Sequence, residues 1–387
     1  MKFEIETLVN TERWDVEFDS TRVVFEREGL RRLGALARDL GAHRVLVVTC
    51  NGVRSAGHGE RALRSLAESS LDAWAFDDVH ENPTTRDVEQ GARVARENRV
   101  DCLVGLGGGS AMDCAKGINF ILTQGGRMED YWGSGKATRP MLPSIGIPTT
   151  AGTGSEVQSF ALISHEDTKV KMACGDKKAK FRIVILDPTL AATMPRSVAA
   201  VTGMDAMSHA VESYVTTRRN PISQPLAREA WRLLESSFVA ALESREDETA
   251  RGRMLIGSLL AGASIEHSML GAAHACANPL TSRHDVIHGA AVGLMLPPTV
   301  LFNAVEVGEL YDTLHRGTPS HDRGQSLHDR LCELRAHARL PHTLREAGVP
   351  RESLPELAAE AARQWTAAFN PRPVAEKELV GLYEAAF

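Results

Sequence analysis

Apolar positions in the first half of the chain come in two rhythms. Short unbroken runs read as strands buried on both faces: Val23-Val24-Phe25, residues 44–49 (RVLVVT), Ala73-Trp74-Ala75-Phe76, and residues 100–105, 144–148 and 183–186. Between them lie stretches whose apolar residues are three and four apart. In residues 29–40 they fall at Leu30, Leu33, Leu36, Ala37 and Leu40, a helical stripe, with Gly41 at the expected C-cap. Residues 59–69, 85–98 and 111–122 read the same way. Strand and helix in alternation predict a parallel sheet covered by helices, with a ligand at the carboxyl ends of the strands.

After Asp187-Pro188 the rhythm changes. The rest of the chain is rich in Ala, Leu and Glu at helical spacing, punctuated at Asn220-Pro221, Pro225, Pro279, Pro297-Pro298 and Pro341. The pattern predicts an α/β domain over residues 1–189 and an all-helical domain over 190–387.

Composition narrows the functions open to such a chain. With 43% apolar and 24% charged residues over 387 positions, the composition suggests neither a disordered nor a fibrous protein. The net charge of -6, with acids and bases interspersed, argues against a nucleic-acid partner, whose phosphates demand a basic surface. Residues 1–6 lack the basic start and apolar run of a signal peptide. No stretch reads as a bilayer span; the richest, residues 255–270, carries Glu266 and His267. No membrane partner is expected, and the cytoplasm is the expected location. Six cysteines, with no C-x-x-C pair, read as reduced thiols.

Two loops suit a dinucleotide. The strand ending near Gly105 runs into Gly107-Gly108-Gly109-Ser110 and then a helix, a context in which backbone N–H groups and a helix N-terminus meet a pyrophosphate. Residues 148–156 (PTTAGTGSE) follow another strand and offer hydroxyls and amides, among them Thr149, Thr150 and Thr153. Asn82-Pro83-Thr84 is a third candidate at the same sheet edge. Each loop alone is equally a solvated turn.

Further on, Asp205 and His209 stand four apart in a helical pattern, so they share a face. Such a pair is either an acid beside an ordinary histidine or half a metal site. His274 lies among small apolar residues, as a satisfied core residue or a ligand, and His288 precedes Gly289 at a helix start. One carboxylate and three imidazoles suit a borderline divalent ion, Fe²⁺ or Zn²⁺.

These segments, in this order, resemble the iron-containing (group III) alcohol dehydrogenase family, which shares its fold with dehydroquinate synthase. The likeness rests on TRVVFEREGLRRLG, FDDVHENPT, GLGGGSAMDCAK, IPTTAGTGSEV, VKMA, ILDP, TGMDAMSHAVESY, HACANPL, the His288-Gly289 pair, and Asn370-Pro371-Arg372 with the closing LYEAAF. It implies a dehydroquinate synthase-like fold, an α/β dinucleotide-binding domain plus an all-α domain, with the site in the cleft between them. It implies Asp205, His209, His274 and His288 as metal ligands. It places Asn82, Gly107, Gly108, Gly109, Ser110, Asp113, Thr149, Thr150, Thr153, Lys171 and Leu190 near the cofactor, and marks Lys116 on the helix of the glycine loop. The implied reaction moves hydride between a nicotinamide (NAD, with NADP open) and a small alcohol or aldehyde, in a homodimer or larger homo-oligomer. A hydroxyacid–oxoacid transhydrogenase and a non-catalytic nucleotide-binding homologue share the same pattern.

Three positions depart from the family. Asn278 stands where the family has a second histidine near the substrate, so Asn278 is expected to alter the catalytic side of the site. Arg283 replaces a glycine-rich stretch, which suggests an anionic substrate if the side chain faces the site. Cys50, followed by Asn51 and Arg54, ends the first dinucleotide-domain strand where NAD-preferring members have Asp.

Overall fold

The structure, a computed structural model, describes residues 13–318 and 321–387; residues 1–6, read above for a targeting signal, lie outside them. Two compact units are present. One runs to Thr150 and again over Gly154–Met194; the other takes Ala151–Thr153 and Pro195–Phe387.

The first unit contains, in order, β1 (Arg13–Phe18), β2 (Thr21–Glu26), α1 (Leu33–Asp39), β3 (Arg44–Val48), α2 (Asn51–Ser55), α3 (His58–Glu68), β4 (Asp72–Phe76), α4 (Thr85–Glu97), β5 (Cys102–Gly107), α5 (Gly109–Gln124), β6 (Gly133–Ser134), β7 (Ser144–Pro148), β8 (Phe160–Ser164), β9 (Lys171–Gly175), β10 (Ile183–Leu186) and α6 (Pro188–Ala191). The main sheet has the order β1-β2-β10-β7-β5-β3-β4. The expected all-parallel sheet is corrected at its edge, where β1 pairs antiparallel with β2. Asp19 and Ser20 join them with φ of 47° and 66°, a two-residue hairpin whose twist permits no other pairing. A second sheet, β6-β9-β8, was not expected from the apolar runs.

Strands β5, β7 and β10 are buried at every residue, as runs covered on both faces must be. On one face Leu33, Leu36 and Leu66 of the helices pack with Val45, Val47, Val104 and Ile145. Each such side chain contributes roughly 1.5–3 kcal/mol by leaving water. Strand β5 ends at Gly107, later than expected, because Leu106 and Gly107 continue the pairing against Ile147 and Pro148. From β3 the chain goes outward to β4, whereas β5, the other neighbour of β3, leads to β7. The switch point of the sheet therefore lies between the carboxyl ends of β3 and β5, where open α/β sheets bind ligands.

The second unit is helical: α7 (Arg196–Val215), α8 (Ser223–Glu243), α9 (Glu248–His267), α10 (Ala272–His284), α11 (His288–Arg316), α12 (Gln325–His337), α13 (Leu354–Ala361) and α14 (Glu376–Ala386). Helix α7 is central, buried at every residue from Gly203 to Val215. The longest apolar helix is α11 rather than residues 255–270, and most of its apolar window is buried within the unit. Pro297 removes the N–H that would bond the Gly293 carbonyl, and Arg335 of α12 supplies the missing donor, Nη1 to Gly293 O at 3.2 Å.

Candidate metal and cofactor sites

At the switch point the glycine loop and the second loop are tied together. The Thr149 amide donates to Gly107 O at 2.9 Å. Gly108 lies so close to Thr150 that an added methyl would stand 3.2 Å from its Oγ1. Helix α5 begins at Gly109, so the first-turn amides of a sixteen-residue helix, with Ser110, open directly after β5. Thr153 belongs to the second unit, where Gly152 packs against Thr202.

Asp113 and Lys116, one turn apart on α5, are hydrogen-bonded within the first unit. Lys116 Nζ donates to Ser155 O at 2.6 Å, Ser155 Oγ at 2.9 Å and Phe160 O at 2.9 Å. Ser155 Oγ in turn donates to Asp113 Oδ1 at 2.5 Å. Burial raises the Asp113 carboxyl above its usual range, with Lys116 and Ser155 pulling the other way. The pair thus pins the end of the second loop onto α5. Lys171 on β9 reaches Asn82 Oδ1 at 3.2 Å, so these two candidates come together. The neighbouring Thr84 closes a capping box with Asp87 that starts α4. Leu190 is enclosed completely in the core, so its side chain offers no surface to a cofactor. At the end of β3, Arg54 is paired with Asp77 at 2.8 Å, beside the half-buried Cys50.

The second unit holds the other site. Asp205 and His209 lie one turn apart on α7, and His274 sits in the first turn of α10. His288 opens α11. Its neighbour Gly289 lets that helix touch α7: a Cβ there would stand 2.0 Å from Val201 O. The four side chains converge on one oxygen. Asp205 Oδ1 is 3.3 Å from His209 Nε2, 3.5 Å from His274 Nε2 and 3.8 Å from His288 Nε2. Ligands at about 2.1 Å around one ion are themselves about 3.0–3.5 Å apart, so this spacing is that of a coordination shell. Asp205, His209 and His274 are all buried, and Asp205 Oδ1 and His274 Nε2 find no hydrogen-bond partner. Orphaned polar atoms cost roughly 1–3 kcal/mol each when buried; a divalent cation satisfies both at once. The residues present therefore fit the ion that the donor set suggests.

The charges in the cluster act strongly on one another. Burial would raise the Asp205 carboxyl, but the imidazoles around it outweigh burial and hold it well below the carboxylate range. Burial holds His209 below its ordinary value. For His274 burial is overcome by Glu212 and Asp205, which raise it to about 9.

Glu212 is the functional residue the sequence reading missed. It lies one turn past His209 on α7, accepts from His274 Nδ1, and accepts the Ala273 amide at 2.8 Å. It orients the His274 ring so that Nε2 faces Asp205, as outer-shell carboxylates do in metal sites. Its spacing of seven from Asp205 was the available signal. Asn370 completes the support, its Oδ1 accepting the Ala272 amide at 3.2 Å and Asn303 Nδ2 at 3.0 Å. Asn278 follows His274 by one turn and donates to Gln364 Oε1 at 3.0 Å. Arg283 does not present an open cation: Glu356 and Glu360 hold its guanidinium.

Comparison with known proteins points the same way in both parts of the chain. The model of the iron-containing alcohol dehydrogenases matches residues 20–188, and that of the C-terminal part of the Fe-containing alcohol dehydrogenase family matches residues 199–387. Alcohol dehydrogenase 4 of Schizosaccharomyces pombe is 33% identical over 352 residues, covering 89% of this chain and 83% of that protein. A crystal structure of 1,3-propanediol oxidoreductase superposes with a TM-score of 0.91 at 31% identity, over 94% of this chain and 97% of that one. Sulfoacetaldehyde reductase from Bifidobacterium kashiwanohense, in complex with NAD⁺, superposes with a TM-score of 0.85 at 26% identity, over 96% and 98%.

Proposed function

The chain belongs to the iron-containing alcohol dehydrogenase family, and on that premise we propose that it reduces a small neutral aldehyde, or oxidises the matching alcohol, with NAD as hydride carrier and Fe²⁺ held by Asp205, His209, His274 and His288. The observation that carries this reading is the single buried oxygen, Asp205 Oδ1, on which three imidazoles converge.

An ion held by these residues would supply Lewis-acid chemistry, polarising a carbonyl or lowering the pKa of an alcohol. Everything else falls to the protein. Asp205 supplies the negative charge that keeps a dication in a buried place. Glu212 fixes the His274 tautomer. Gly107, Gly108, Gly109, Ser110, Thr149 and Thr150 present amides and hydroxyls at the switch point for the pyrophosphate. Lys171 and Asn82, joined to each other, are further candidates in the same unit, and Thr153 is a candidate carried by the second unit. Asn278 carries an amide, which cannot accept a proton near neutral pH, so the alcohol proton leaves by another route. Its link to Gln364 leaves Asn278 Oδ1 as an acceptor for a polar group on the substrate.

A neutral substrate is favoured because Arg283 is already neutralised by two glutamates. Arg283→Ala should change KM for anionic and neutral aldehydes equally. NAD is favoured over NADP because Arg54, just past the end of β3, is engaged by Asp77. The six free thiols suit a reducing compartment, and we place the enzyme in the cytoplasm as a homo-oligomer. The test is elemental analysis of anaerobically purified protein, followed by an aldehyde panel with NADH and NADPH. About one iron per chain and NADH-linked turnover are expected. Full activity in metal-free protein overturns the reading.

A further inference from the structure

Four of the six cysteines are buried; Cys50 and Cys332 are partly open. Their surroundings differ. One turn before Cys332 on α12, His328 places Nε2 3.9 Å from the sulfur, and its Nδ1 meets Asp329 Oδ1 at 2.8 Å. Thiol, imidazole and carboxylate thus stand in line, the order in which a base is aimed at a nucleophile. One turn after Cys332, Arg335 brings Nη2 to 4.0 Å from the same sulfur.

Arg335 is only 8% exposed. Its Nη1 serves Gly293 O, but its Nε is buried without a partner. In a planar guanidinium the Nε–H and one Nη2–H lie along a single edge. A spare buried donor therefore sits on the edge already turned to Cys332, where an oxygen added to the sulfur would find it.

We propose that Cys332 is a nucleophilic thiol which hydroperoxides convert to a sulfenate, held by the guanidinium of Arg335. The thiolate sulfur attacks the terminal peroxide oxygen. An S–O bond forms and the O–O bond breaks; sulfur loses two electrons and the peroxide gains them. The departing hydroxide or alkoxide takes a proton from His328, and the sulfenic proton passes to solvent. His328 holds the thiol below its usual range, with Arg335 adding to this and burial and the Asp329 charge opposing it. Glu346, beyond α12, bears on Arg335.

The test needs only the metal-loaded protein. Iodoacetamide labelling, mapped by mass spectrometry between pH 5 and 9, compares Cys332 with Cys50 as an internal standard. At pH 7 Cys332 should label about tenfold faster and titrate at lower pH, since the thiolate is the reacting form. His328→Gln should bring its rate down to that of Cys50. After hydrogen peroxide, a dimedone adduct should form at Cys332 and vanish in Cys332→Ser, which keeps its dehydrogenase activity. Equal labelling of the two cysteines overturns the proposal, as does an unchanged rate in His328→Gln.

Discussion

Among the described residues, two of the buried polar clusters, one in each unit, are finished to different degrees. Around Lys116 the account closes: three donors meet three acceptors, and Ser155 passes a further bond to Asp113. Around Asp205 it stays open, with a carboxylate oxygen and an imidazole nitrogen buried at contact distance and unpaired. Both contain a carboxylate in a low-dielectric setting. A closed cluster holds its own backbone in place. An open one, surrounded by donors at coordination spacing, is built for something that arrives from outside.

The sharpest way to break this distinction is to remove its centre on either side. Asp205→Ala should abolish stoichiometric metal binding and lower kcat/KM on the order of 10³-fold or more, the several kcal/mol a Lewis acid supplies. The fold should survive, because the cluster is not a structural tie; circular dichroism and metal analysis on one sample check both. Lys116→Met should do the reverse. It strands Asp113 and two carbonyls in the interior, at about 3–5 kcal/mol of stability by denaturant unfolding. The folded fraction should still bind metal.

A pH titration sharpens the contrast. Glu156, next to Ser155, is fully buried, and burial raises its carboxyl from 4.5 to about 7. The folded state therefore keeps a proton that the unfolded chain releases. The stabilisation is complete below 4.5 and lost as pH rises to about 7, amounting to about 3 kcal/mol. Glu156→Gln should flatten that slope in urea midpoints. Asp205 shifts the other way, so its contribution fades only in acid. The smallest effect belongs to Glu212→Gln. It leaves the ligands untouched and frees His274 to turn, which should weaken metal affinity about 10–100-fold by competitive chelation.

How much of this was legible in the chain depends on how local the physics was. Buried parallel strands are short, mostly apolar runs, so β3, β7 and β10 could be read directly. The RWDVEF of β1 alternates as an edge strand does and has no run to notice. FALIS and KMACG form a small sheet held by register against each other, which composition does not announce. Asp205 and His209 were visible because a helix fixes their spacing. Their meeting with His274 and His288 comes from helix packing across a long separation, and only the family likeness stood in for it. Glu212, on the same face, was passed over because a helix buried on all sides has no polar side to mark it as misplaced. The partners of Arg283 were not legible because Glu356 and Glu360 lie on α13, far along the chain.

Gly271 begins α10 with no side chain, and the space it leaves is filled from two places: a Cβ would stand 2.9 Å from Asn370 Oδ1 and 3.0 Å from Glu212 Oε1. Those two oxygens satisfy the opening amides of the helix that carries His274. Asn370 is synthesised after every one of the candidate ligands. The start of the helix that carries His274 is therefore capped only once the C-terminal segment has packed against it.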